Sequence, residues 1–219
     1  VKDWEVKDWD WAAMVGEELD PELEGYLELD GPIGPMVRHP LVYDISLQIP
    51  GAANRRLAYK KEALAEALSK KDWDLVVSLH ERPHRFNALQ EYVLRPGVPI
   101  WRHSKAVKAL AEWVWTDSEN ISQHQAEWLA LYEGRPEGAV LGEPIDLVKF
   151  QKLPEQVTLY RGGGADSFLS WSTSREVSER FAARSKSKVR SRVVPKSEIF
   201  AYYTQRGEFE ALTFAGMGE

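Results

Sequence analysis

The 219-residue chain contains no cysteine. Disulfides, thiolate metal sites and a cysteine nucleophile are therefore excluded, and the composition is compatible with the cytoplasm. No apolar run approaches the roughly 20 residues needed to span a bilayer, so no membrane partner is expected. The N-terminal stretch VKDWEVKDWDW carries no signal-peptide pattern. A net positive charge is lacking too. The formal charge of −6 argues against nonspecific nucleic-acid binding. Acid is locally missing as well: residues 180–196 hold seven Arg and Lys and no Asp or Glu. Residues 1–30 show the opposite bias, with eleven Asp and Glu against two Lys. The basic segment either attracts an anion or docks against the acidic arm; the alternative is two solvated faces.

What is present falls into three stretches. Residues 1–40 read as an acidic, Trp-containing arm, in which Trp4 and Trp9 repeat with a period of five that suits neither helix nor strand. Residues 41–144 read as a helical region. Within it AANRRLAYKKEALAEALSK is rich in helix formers. Ser104 is placed to N-cap KAVKALAEWVW, where Val107, Leu110, Ala111 and Val114 share one face. Ile121, Trp128, Leu129 and Tyr132 form a further stripe that Gly134 and Pro136 end. EGRPEGAVLGEP is a turn-rich connector. From residue 145 the pattern turns to strands. QVTLYR and FLSWSTS alternate, REVSERFAARSK reads as a short helix, VRSRVVPKSEIFAYYT as strand broken at Pro195, and EFEALTF as a last strand. The expectation is an α+β fold, with a helical N-terminal region followed by a β-rich core.

His80-Glu81-Arg82-Pro83-His84 formally matches the zinc-protease pattern HExxH. That chemistry needs both histidines on one continuous helix. Pro83 is unfavourable inside a helix and welcome at the start of one. A corner between two helices is therefore expected, and no metal. RGGGAD lacks the spaced glycines and the Lys of a phosphate-binding P-loop and reads as a hairpin turn. Glu208 and Glu210, two apart on a strand, would point to one side about 7 Å apart. Such a pair gives a strand nothing, but it can divide acid/base and cation-stabilising work.

Three pieces then stand in order: a strand ending Tyr160-Arg161-Gly162, a strand ending Ser172-Thr173-Ser174 that runs into a helix, and a strand opening Glu208-Phe209-Glu210. Over residues 155–214 the chain resembles the mono-ADP-ribosyltransferases of the cholera-toxin-like Arg/Ser-Thr-Ser/Glu-x-Glu class. The resemblance implies a transferase-like core of two packed sheets over residues 145–219, with the helical region recognising a target or covering the cleft. It implies NAD+ as co-substrate and no metal. Arg161, Gly162, Ser172, Thr173 and Ser174 would bind NAD+, Gly162 by letting the backbone approach the carboxamide. Ser172 would also hold Glu210, which stabilises the developing ribosyl cation, and Glu208 would take the proton of a protein arginine acceptor. Trp171 and Phe181 are expected in the core. Two other functions compete: transfer to RNA, DNA or water, supported by the basic segment alone, and a non-enzymatic binding module. Toxin, defence factor and viral modifier of a host are all compatible roles.

Overall fold

A computed structural model describes residues 14–30, 34–44, 49–118, 121–163 and 169–214. The period-five Trp repeat and most of the expected RGGGAD hairpin lie outside them. The chain divides into two compact units, Val1–Val93 and Leu94–Glu219. Among the described residues no helix is long and apolar enough to cross a membrane. Among the described residues the fold is mixed, with helices in both units and two antiparallel sheets.

In the first unit, helix α1 (Pro21–Glu24) is capped by the Asp20 side chain, which accepts from the Glu22 N–H. Strands β1 (Leu27–Glu28), β2 (Met36–His39) and β3 (Val42–Asp44) form a small sheet in that order. His39 pairs with Val42, so Pro40 and Leu41 make a two-residue turn. This corrects the expectation of an irregular arm up to residue 40. Leu23, Val37, Leu41 and Val42 are buried against Ala53 and Leu57 of helix α2 (Pro50–Lys70). Helix α3 (Trp73–Leu79) follows, capped by Asp72. It ends at Leu79, and His80 takes an extended conformation at its C-cap. A 3-10 turn over Arg82–His84 then leads into α4 (Arg85–Ala88). The two histidines of the HExxH pattern are thus on different elements, and His80 Nδ1 is 2.8 Å from the Val76 carbonyl.

In the second unit, Ser104 accepts from the Val107 N–H and starts α5 (Lys105–Asp117). Helix α6 (Gln125–Tyr132) and α7 (Pro144–Gln151) follow. Strands β4 (Gln156–Arg161) and β5 (Ser170–Ser172) precede α8 (Arg175–Arg184). Strands β6 (Arg190–Pro195), β7 (Ile199–Tyr203) and β8 (Glu210–Thr213) complete an antiparallel sheet of order β6-β4-β5-β8-β7.

Two expectations are corrected here. The helical stretch over 41–144 is not one region, because α5 and α6 belong with the five-stranded sheet. Trp115, Trp128 and Tyr132 are buried together, and the Tyr132 ring lies 5.0 Å from Phe200 of β7. Among the described residues of 145–219 there is one sheet rather than two. Its β7 is buried along its whole length. A second core packs Val157, Leu159, Trp171, Val194, Tyr202 and Ala211 with Phe150 of α7.

Candidate functional site

Antiparallel pairing sets Tyr160 of β4, Ser172 of β5 and Glu210 of β8 in one row across three neighbouring strands. Directly opposed residues on adjacent strands point to the same side of a sheet. Beside this row opens a cleft of about 160 Å3, smaller than the roughly 300–1,000 Å3 usual for small-molecule sites. Arg161, Gly162, Ser170, Ser172, Glu208 and Glu210 all line it. Five of the residues singled out from separate stretches of sequence, Arg161, Gly162, Ser172, Glu208 and Glu210, therefore reach one slot.

Glu210 is its most perturbed group. Loss of water around the carboxylate raises its pKa to about 7, and the nearby Glu208 charge pushes the same way. Three groups act against this. The Ser170 hydroxyl donates to Oε1. The Trp115 indole N–H favours the charged form without reaching direct hydrogen-bond geometry, and the Arg161 cation adds a weaker pull. Ser170, not Ser172, is thus the hydroxyl that holds Glu210. Sequence reasoning passed over Ser170 because the Ser-Thr-Ser motif begins two residues later. The alternation that puts both serines on one face was the available signal.

Ser172 has a different task. Its hydroxyl donates to the Glu208 carbonyl at 2.7 Å and accepts from the Ser174 N–H at 3.0 Å. The Thr173 N–H donates to the Phe209 carbonyl at 2.9 Å. Ser172 and Thr173 together pin the Glu208–Phe209 backbone. Thr173 Oγ1 lies 3.1 Å from the Tyr202 hydroxyl, and Ser174 N-caps α8 through the Val177 N–H. Neither side chain lines the cleft. Both shape the turn.

The Glu208-Phe209-Glu210 segment is not a continuous strand. Glu208 is helical in backbone and Phe209 has φ +49°, so β8 begins only at Glu210. A left-handed non-glycine residue costs of order 1 kcal/mol or more and persists only where its surroundings impose it. Here the bonds from Ser172 and Thr173 impose it. The two carboxylates reach the same cleft through this kink, not through strand periodicity.

Gly162 is required by packing. A Cβ there would lie 1.8 Å from the Ser178 carbonyl oxygen and 2.6 Å from the Ala182 nitrogen. The backbone of α8 therefore occupies the space expected for close approach to a ligand, although Gly162 still forms part of the cleft wall. Arg161 donates through Nη1 to the Ser170 carbonyl. Burial lowers its pKa and the Arg190 charge lowers it further. The Arg161 contact puts a cation beside the strand that bears the Glu210 anchor. Trp171 is buried in the second core and also lines the cleft, with the Arg192 guanidinium 4.0 Å over its ring. Phe181, expected in the core, is 40 % exposed at the cleft.

The arrangement can therefore bind a ligand carrying anionic groups near Arg161 and can stabilise positive charge near Glu210. No family model, curated protein or solved structure matches this chain.

Proposed function

We propose that this chain is a mono-ADP-ribosyltransferase with an ADP-ribosyltransferase-like core, moving ADP-ribose from NAD+ to an arginine of a target protein. The observation that carries this reading is the convergence of Arg161, Ser172, Glu208 and Glu210 on one cleft. The bond from the ribose C1′ to the nicotinamide nitrogen breaks, and nicotinamide leaves with the bonding pair. Glu210 stabilises the positive charge that grows on the ribose, an electrostatic effect worth a few kcal/mol per well-placed group. Ser170 orients that carboxylate. The guanidinium of Arg161 suits a phosphate or braces the pocket wall. Glu208, held by Ser172 at the rim of the cleft, binds the acceptor guanidinium and takes its proton as the nitrogen attacks C1′. No step in this scheme calls for a metal ion.

The test is incubation of the protein with labelled NAD+ and a cell lysate, followed by protease or nuclease. Label that protease releases and nuclease leaves in place supports the reading. Label lost to nuclease, or nicotinamide release with no labelled macromolecule, points to a nucleic acid or to water as acceptor. Absence of both NAD+ binding and modification removes the enzyme reading.

A further inference from the structure

Strand β6 stands at the edge of the five-stranded sheet, with no strand outside it among the described residues. Its register with β4 is unbroken from the Gln156–Pro195 pair to the Arg161–Arg190 pair. The Lys196 N–H continues the ladder by donating to the Glu155 carbonyl at 2.8 Å. In an antiparallel pair, residues that bond across alternate with residues that do not. Val194, Arg192 and Arg190 therefore turn their backbone groups toward β4, and Ser191 and Val193 turn theirs outward. Pro195 has no N–H to offer and occupies the next outward position, where an edge strand tolerates proline. The open edge is thus confined to Ser191 and Val193. Ser191 is exposed, and Val193 is 62 % exposed although its neighbour Val194 is in the core.

The edge is also charged with one sign. Lys186, Lys188 and Arg190 are exposed at its start, Arg192 lies within it, and residues 180–196 contain no acid. At its far end Lys196 and Glu155 are 3.3 Å apart, so the two charges there offset each other. A run of like charge on an edge keeps a second copy of the same strand away. It favours a partner of opposite charge. Outward N–H and C=O groups call for a partner that both accepts and donates. A peptide strand does both, whereas phosphate oxygens only accept. The formal charge of −6 opposes a nucleic acid as well.

We propose that the outer edge of β6 docks an extended acidic segment of a protein partner, which adds to the sheet as a strand. Its backbone pairs with Ser191 and Val193, and its carboxylates meet Lys188, Arg190 and Arg192. An apolar side chain of the segment covers Val193. Arg190 is directly opposite Arg161, which lines the cleft, so the docked segment runs level with the site. Glu210 on β8 is four strand spacings away from it, about 19 Å, so an acceptor arginine about six extended residues along reaches the cleft. That the partner is the arginine-bearing target rests on the transferase reading, whereas the docking does not.

The probe is a fluorescent peptide of alternating Glu and Val, titrated into the full-length protein and followed by anisotropy, with amide hydrogen exchange read at Ser191 and Val193. Binding should weaken as salt is raised, and exchange at both amides should slow in the complex. Val193→Pro removes an outward N–H, keeps every charge and spares the bonds to β4, so it should weaken binding about tenfold or more. Lys188→Glu/Arg190→Glu should weaken it as much. If Val193→Pro does not fold, the wild type is tested with peptides N-methylated at every Glu or at every Val, one of which should bind about tenfold more weakly. No binding by the wild type overturns the proposal. So does undiminished binding by folded Val193→Pro, or of both methylated peptides, because charge alone would then suffice. Tighter binding of an oligothymidylate overturns it too, as does slowed exchange without peptide that grows with protein concentration, the mark of a second copy. Docking without any reaction of NAD+ removes only the transferase reading, and transfer to protein without docking removes only the docking.

Discussion

Ser170 and Glu210 sit on neighbouring strands, and the serine hydroxyl donates to Oε1 of the carboxylate. The same serine accepts the Arg161 guanidinium at its backbone carbonyl. One residue thus ties together the cation and the anion of the cleft. Ser170→Ala should raise the Glu210 pKa, because the lost bond favoured the charged form. A hydrogen bond to a charged group contributes about 1.5–3 kcal/mol. Transfer from NAD+ should therefore fall about tenfold or more near neutral pH, with partial recovery at higher pH. A pH–rate profile of the variant checks this.

Glu210 and Glu112 both have folded pKa values of about 7, against an ordinary value of 4.5 in an unfolded chain. The folded state therefore binds more protons between these values, so their contribution to stability falls as pH rises through that window. Below it both states are protonated and the contribution is complete. Glu210→Gln removes one such group. Its melting temperature relative to the wild type should move upward as pH is raised from about 5 to about 8. Thermal melts of both proteins across that range measure the effect.

Gly162→Ala should destabilise the second unit. The added methyl would overlap the backbone of α8 at Ser178 and Ala182, and helix backbone cannot move aside as a side chain can. Overpacking of this kind costs about 1–3 kcal/mol and sometimes more. Chemical denaturation of the variant reads it directly. Retention of full stability would show that α8 can shift away from β4.

Arg161→Lys keeps the charge but loses the planar fork. The contact to the Ser170 carbonyl should weaken, and with it the alignment of β4 and β5 at the cleft. NAD+ affinity, followed by titration calorimetry, should drop about tenfold while the circular dichroism spectrum stays the same.

Much of the second unit is legible in the sequence because its elements obey local rules. QVTLYR alternates and forms β4 as read, Ser104 caps α5, and Pro195 ends β6. What could not be read depends on tertiary contact. From residue 145 strands are expected, yet PIDLVKFQ is helical, with Pro144 at its first turn and Asp146 buried against Thr204. The kink at Phe209 comes from bonds made by Ser172 and Thr173, which lie more than thirty residues away. The role of Gly162 depends on where α8 lands. Nothing in the helical segment signalled that Glu112, Trp115 and Tyr132 stand behind the cleft, because their spacing is that of any buried helix face.

The most direct measurement compares ADP-ribose transfer to protein by the wild type and by Glu210→Gln, at equal NAD+ occupancy. The account predicts a wild type that labels arginine and a folded, NAD+-binding variant slower by about 100-fold or more. A variant that labels protein at the wild-type rate would contradict it.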